Sequence, residues 1–362
     1  MKVAIYGAGI YGKAFFKALQ SNKIKVDMFI DQFTDKRYLD GVPIYKIEEV
    51  RNKNIKVYIA TSLNNNEEIP TILKKNNYTN ISSFKQSLCE IDNVLSFLIK
   101  TNILWMREKN VVNKYDVKKF YHLLKDEKSK KILDMIIAFR ETLDMKYYVV
   151  PDDSSTQYLP SDIPIFQSIN TLNLIDCGAF VGDTVHSFIS LTQQHNIKVD
   201  TIISFEADSK NIEKLNQEIQ HQKKLAPSTN FIVYPAGVWS KNKFLHFSND
   251  GDSASKILGV ANETTISIPV FSLDSTVKNM NINYIKMDIE GAELKALEGA
   301  KEIIRQQSPI LAICLYHHPS HLWKIPLLIN KMNPNYDMYI RVYGHLGLET
   351  VLYCVPKGYN NV

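Results

Sequence analysis

The sequence predicts an α/β chain: two mainly parallel sheets, each covered by helices, with a helical stretch between them. Three observations carry this. Short apolar, β-rich runs alternate with helical spacing over residues 1–85 and again from residue 172 onward, and such alternation builds parallel sheets with helices on both faces. A glycine-rich turn follows the first strand of each alternating stretch. Residues 86–165 show helical spacing instead, with Leu95, Leu98 and Ile99 in one stripe and Ile132, Met135, Ile136 and Phe139 in another. The length of 362 residues suits two or three domains, so the boundaries read as 1–85, a helical connector 86–165, and 166–362.

Composition excludes several classes. Hydrophobic residues at 45% and charged residues at 22% exclude wholesale disorder. Lys and Arg number 43 against 38 Asp and Glu, a scattered excess of +5 that does not call for nucleic acid. The apolar run Ile310–Tyr316 is far short of the roughly 20 residues of a membrane helix. Met1 leads into a strand-like run, Lys2–Tyr6, without a signal peptide's layout. Cys89, Cys177, Cys314 and Cys354 lie far apart with no CxxC pair, so neither a disulfide nor a zinc framework is expected. The expectation is a soluble cytoplasmic protein with no membrane or nucleic-acid partner, free to form a homo-oligomer.

In the first domain, strand Lys2–Tyr6 leads through Gly7-Ala8-Gly9-Ile10-Tyr11-Gly12 into a helix over Tyr11–Gln20, followed by strands Val26–Ile30 and Val57–Ala60 and a helix over Glu67–Lys75. Glycines in a GxGxxG turn let the backbone approach a phosphate at a helix N-terminus. Asp31, 19 residues beyond Gly12, could accept from a ribose hydroxyl. Gly7, Gly9, Ile10, Tyr11, Gly12 and Asp31 therefore read as a nucleotide site, for NAD or another nucleotide, against the plainer reading of a bare structural turn. The segments MFIDQ and DGVPIYKIEEV resemble the N-terminal nucleotide-sugar-binding, Rossmann-like domain of bacterial sugar acetyltransferases. Nothing that follows looks like a nicotinamide-side catalytic domain.

The connector ends in a turn-rich run, Pro151–Pro164, and its Lys125, Lys128, Lys130 and Lys131 read as a solvated helix face. Beyond it come strands Leu172–Asp176, Ile202–Glu206, Phe231–Tyr234, Ile282–Met287 and Pro309–Tyr316. Tyr336–Tyr343 and Glu349–Val355, joined by Gly344–Leu348, then form a hairpin. Five parallel strands closed by an antiparallel hairpin is the layout of a class I methyltransferase sheet.

The second glycine turn points the same way. Asp176 ends its strand before Gly178 and Gly182, where it suits a cationic group such as an amino-acid ammonium better than a phosphate. Glu206, 30 residues on, ends the next strand, where a carboxylate can take both hydroxyls of a ribose. Together they suit S-adenosylmethionine; strand-end caps are the plainer reading of both. Ala236 and Gly237 leave room for an adenine, and Ser253, in the polar loop Asn249–Ser255, reads as a donor or acceptor contact. Asp288 ends a further strand near the methyl position, or caps the helix that follows, with Lys286 as its ion partner. His317 and His318 end the next strand, and alternation makes one of them the candidate base. Asp288 is the rival. His321 reads as a surface residue, and Trp105, Trp239 and Trp323 as packing. Asp288, Glu290 and a histidine could hold a divalent ion, but no histidine pair elsewhere has metal-ligand spacing and no metal is expected.

IDCGAFVGDT, FEAD, SLDS, IKMDIEGAELKALEGA, YHHPSHLW and RVYGH…ETVLYCVP, with QYLPSDI upstream, resemble the FkbM-type S-adenosylmethionine-dependent methyltransferase family over residues 157–356. The resemblance implies a class I fold and O-methylation, commonly of sugars or natural products. It carries donor contacts onto Asp176, Gly178, Ala179, Gly182, Asp183, Thr184, Glu206, Ala207, Ala236, Gly237, Ser253 and Asp288. With the first domain holding a nucleotide-linked acceptor, the combined expectation is an O-methyltransferase of a sugar hydroxyl, nucleotide-linked or polysaccharide-linked, in surface (capsular) polysaccharide biosynthesis. The alternatives are an NAD-binding oxidoreductase domain fused to a methyltransferase, and a non-catalytic nucleotide-sugar-binding protein.

Overall fold

The computed structural model describes residues 1–61, 68–100, 112–248, 257–258 and 265–358. The chain forms two compact units, each assembled from separated segments: Met1–Val111, Asp134–Ser154 and Val342–Glu349 in the first, Val112–Leu133, Ser155–Arg341 and Thr350–Val362 in the second. The expected connector, 86–165, is therefore divided between them. The reason is physical: a helical stripe announces that a face is buried but not in which core. Phe139 and Tyr148 join the first unit's core, as does Leu346 from the turn after Tyr343.

The first unit contains β1 (Val3–Tyr6), β2 (Met28–Ile30), β3 (Tyr38–Leu39), β4 (Val42–Tyr45), β5 (Lys56–Ile59) and β6 (Asn80–Ser82) in the order β3-β4-β2-β1-β5-β6. All neighbours are parallel except β3 and β4. The helix Ile10–Ser21 buries Ala14, Phe15, Ala18 and Leu19, the i, i+4 stripe that packs a helix onto a sheet.

The second unit holds β7 (Thr171–Cys177), β8 (Lys198–Glu206), β9 (Asn230–Pro235), β10 (Gly237–Val238), β11 (Lys243–Ser248), β12 (Ile257–Leu258), β13 (Thr265–Phe271), β14 (Tyr284–Met287), β15 (Ile310–Cys314), β16 (Tyr336–Val342) and β17 (Thr350–Pro356). Seven strands run β16-β17-β15-β14-β7-β8-β9. The five from β15 to β9 are parallel, and β17 is antiparallel to β15. β14 and β15 are buried throughout, as the unbroken apolar runs of a sheet covered on both faces require. The strand order reverses between β7 and β14, and ligands of open parallel sheets bind at the carboxyl side of such a switch point. A four-stranded sheet, β10-β13-β11-β12, was not read from the sequence, although exposed Phe244 beside buried Leu245 is the alternation of a half-covered strand. Among the described residues, no helix is long and apolar enough to cross a membrane.

The terminal hairpin is anchored by a buried arginine to which the sequence assigned no role. Arg341 on β16 is 1% exposed. It donates to Asp126 Oδ2 at 2.6 Å, Asp162 Oδ2 at 2.9 Å, Ser129 Oγ at 2.9 Å and the Ile340 carbonyl at 2.7 Å. The lysines expected on a solvated face lie around it, with Lys128 3.0 Å from Asp162 and Lys125 3.2 Å from Asp337. A buried guanidinium is tolerated only when it is paired in this way. Arg341→Ala should lower the unfolding free energy by about 3 kcal/mol, because it strands two carboxylates. A urea midpoint unchanged from wild type would show that the network is incidental.

Candidate active site

A cavity of about 680 Å³ is lined by Asn170, Thr171, Asn173, Thr201, Asn281 and Asn283, at the amino ends of β7, β8 and β14. Ligand chemistry in such a fold belongs at the opposite, carboxyl ends, where the acidic and imidazole side chains gather.

There the turn after β7 meets the end of β14. Gly178 has φ +81°, and a Cβ on it would stand 1.9 Å from the Asp288 carbonyl oxygen. The Asp288 amide also donates to the Cys177 carbonyl at 3.1 Å. Gly182 has φ +93°, with its missing Cβ facing the Glu218 side chain at 2.9 Å. Both glycines are thus demanded by the protein's own backbone and packing rather than by a ligand's approach. Lys286, 2% exposed, places Nζ 2.7 Å from the Gly178 carbonyl and 3.0 Å from Asp176 Oδ1. Neither Asp176 oxygen receives a well-directed hydrogen bond, so this is a charge contact. Burial alone would lower the Lys286 pKa, but Asp176 and Asp288 outweigh it and keep the ammonium charged. Asp176 is fully buried. It secures Lys286 beneath the turn.

Asp288 is the centre of a second set of contacts. Its Oδ2 accepts from the Tyr158 hydroxyl at 2.9 Å and its Oδ1 from the Tyr316 hydroxyl at 3.2 Å. His317 Nε2 lies 3.3 Å from Asp288 Oδ1 and 3.7 Å from Glu290 Oε2, and its Nδ1 lies 2.8 Å from Glu293 Oε1. His321 Nδ1 is 3.3 Å from Glu293 Oε2. The imidazole nitrogens are not well aligned for hydrogen bonds, so charge holds these groups together. Burial works against a charged His317, but Glu293 and Asp288 outweigh it and hold its pKa well above 6.5. Burial would raise Glu293, yet His317 and His321 bring it down to about 2. Asp288 is likewise held far below the carboxylate range by His317, Lys286 and Tyr158, against burial. A cationic His317 supplies to Asp288, Glu290 and Glu293 the positive charge that a divalent ion would otherwise bring.

This geometry separates residues the sequence treated alike. His317 is buried in the cluster, while His318 is exposed and its Nδ1 meets the Ser320 amide and hydroxyl at 3.2 and 2.9 Å, as a turn residue. His321, expected at the surface, is 4% exposed. Tyr158 was missed, its only signal being the QYLPSDI stretch. It reaches Asp288 from a left-handed backbone, φ +74°, fixed by Tyr284, whose hydroxyl donates to the Tyr158 carbonyl. Glu206 ends β8 half-buried. It accepts from the amides of Phe180 at 2.8 Å, Ala207 at 2.9 Å and Asp208 at 2.8 Å. Ala179, Thr184 and Ala236 are buried and Asp183 opens the helix Asp183–Gln194. Gly237 packs its Cα against Val270, whose Cγ1 would be 3.1 Å from a Cβ. Ser253 lies outside the described residues.

The comparisons bear on this site. Residues 176–345 match the family model of the methyltransferase FkbM domain. This chain carries an FkbM methyltransferase domain. Its fold is similar to that of the crystal structure of methyltransferase FkbM from Methylobacillus flagellatus KT, with a TM-score of 0.63 at 20% identity over 98% of this chain and 90% of that one. An rRNA methylase from Streptococcus thermophilus aligns with 53% of this chain and 92% of its own at 12% identity and a TM-score of 0.33. No curated protein matches. The FkbM domain match begins at the Asp176 that secures Lys286 and contains Glu206, Asp288, Glu293 and His317.

In the first unit, Gly7 has φ +103° and its Cβ would stand 2.8 Å from the Ala60 carbonyl oxygen, while a Cβ on Gly12 would stand 2.0 Å from Gly7 O. Those two glycines serve the turn itself. Gly9 differs, with nothing within 4 Å of its Cβ position. Ile10 is 51% exposed, and Tyr11 packs edge-on against Phe84. Asp31 accepts from the amides of Ala8 at 2.7 Å, Phe33 at 2.9 Å and Thr34 at 3.0 Å. Its carboxylate therefore closes the glycine turn.

The His317 cluster has a testable titration. A raised imidazole pKa contributes stability that is complete below about pH 6.5 and lost as pH rises through the folded value. The depressed Glu293 contributes above about pH 4.5 and is lost as pH falls toward 2. Glu293→Gln removes the principal support of the imidazolium. The His317 pKa, followed by imidazole ¹⁵N shifts, should then fall, and neutral-pH stability should drop by about 3 kcal/mol. An unmoved titration would show that Glu293 does not hold the charge.

Proposed function

We propose that this methyltransferase uses S-adenosylmethionine to O-methylate a sugar hydroxyl, presented on a nucleotide or a growing polysaccharide, in the cytoplasmic phase of surface-polysaccharide biosynthesis. The observation that carries the donor is Glu206. A carboxylate offers about four lone-pair positions; three backbone amides engage it, which leaves room for one ribose hydroxyl rather than the two expected. Glu206 and the turn Gly178–Thr184 would hold the donor. When bound, S-adenosylmethionine supplies a methyl group on a positively charged sulfur.

The chain's own residues then set charge and position. Asp288 is kept ionised and immobile by Tyr158, Tyr316 and His317, an orientation fixed before any substrate arrives. His317 already carries its proton, so it steadies Asp288 and does not act as the base. Asp288, with donors on both oxygens and a strongly depressed pKa, is a poor base as well. The acceptor side rests on the first unit, where Gly9 leaves open space at a glycine turn after β1, the arrangement that receives nucleotide phosphates.

Incubating the protein with methyl-labelled donor and a panel of nucleotide sugars should give a labelled O-methyl sugar. Loss of the Glu206 hydrogen bond in Glu206→Ala should weaken donor binding by about 1.5–3 kcal/mol. Calorimetry showing wild-type affinity in a folded variant would remove Glu206 from the donor site. Gly9 has φ −82°, which any residue adopts, so Gly9→Val tests ligand approach rather than folding. It should raise the acceptor KM and leave donor affinity unchanged; an unchanged KM would detach the first unit from the acceptor.

A further inference from the structure

With His317 protonated and Asp288 saturated, the acceptor's proton needs another destination, and the end of β14 offers one. The chain after Asp288 passes through two left-handed residues in succession, Glu290 at φ +53° and Gly291 at φ +100°. Glycine takes that conformation freely; a residue with a Cβ does so at a cost. Asp288 and Glu293 in the same cluster are each held by several partners, and Glu293 is fully buried. The Glu290 side chain is 68% exposed, with His317 Nε2 at 3.7 Å as its one ion-pair contact among the described residues. A strained backbone that presents an uncommitted carboxylate beside a fixed cation is an outlier that argues for use.

We infer that Glu290 is the general base of methyl transfer, taking the proton of the acceptor hydroxyl. This rests on the O-methyltransferase reading above. In the step, the hydroxyl oxygen bonds to the methyl carbon as the carbon–sulfur bond breaks and its electron pair stays on sulfur. The proton passes to a Glu290 oxygen and then to water. The charged groups facing Glu290 are His317 from the segment after β15, Asp288 from the end of β14 and Glu293 from the start of the following helix. Partial desolvation on the side facing the cluster raises its pKa, His317 lowers it, and Asp288 and Glu293 raise it again, so the net direction is upward, toward the pH at which a base works best. An uncharged alcohol such as a sugar hydroxyl is the substrate class that needs such a base.

The test uses the full chain and whichever nucleotide sugar the wild type methylates. Glu290→Gln should lower kcat by about 10²–10⁴-fold, with donor affinity by calorimetry and acceptor KM unchanged, and the acid limb of the wild-type kcat profile should disappear. Glu290→Gly removes the carboxylate while easing the left-handed backbone, so it separates chemistry from folding; its kcat should fall by the same factor and recover in part with added formate. Variants with near-wild-type kcat, or an acid limb that persists in Glu290→Gln, overturn the assignment alone. A wild type that binds the donor yet methylates no hydroxyl overturns the functional reading and this inference with it.

Discussion

Buried charge of alternating sign organises the second unit. Asp176, Lys286, Asp288, His317 and Glu293 follow one another through space as anion, cation, anion, cation, anion, with His321 against the last. The buried members, Asp176, Lys286, His317 and Glu293, would not be tolerated alone so far from water. Each is stable because its neighbours are present, and together they join the ends of β7, β14 and β15 to the helix that starts at Glu293. The turn after β7 keeps its shape because Lys286 holds the Gly178 carbonyl. Asp288 keeps its orientation because two phenols and an imidazolium surround it.

The same constraint explains why glycine occurs where it does. The Asp288 backbone runs so close to Gly178 that no side chain fits between them, and the two strands at the switch point are drawn together. Without that approach, Lys286 could not touch both Asp176 and the turn. Chemistry and packing are inseparable here: the residues that keep the strand ends together also set the charge of the crevice.

The sequence reading recovered the strands of the central parallel sheet and both glycine turns, because those depend on local periodicity and on turn chemistry. It placed His317 and His318 together because they are adjacent, yet one is buried and the other exposed, and only the packing around Glu293 distinguishes them. The partners of Tyr158 and Arg341 were not legible for another reason. Each acts on partners more than 120 residues away, and a tyrosine or arginine in isolation carries no local signal of burial. A sequence shows that a carboxylate such as Asp31 stands at a strand end, and not how many of its lone pairs the backbone already uses.

The division of the chain has a consequence for biosynthesis. The core around Ala4, Phe15 and Phe29 includes Phe139 and Tyr148, and is completed by Leu346. A ribosome delivers Leu346 only after the whole stretch from Ala4 through Tyr148 and well beyond has been made. Domains generally fold in the order they emerge, but this unit's core keeps part of its apolar surface uncovered until Leu346 has been made. The second unit's sheet emerges in the meantime, so the part of the protein translated first is among the last to be finished.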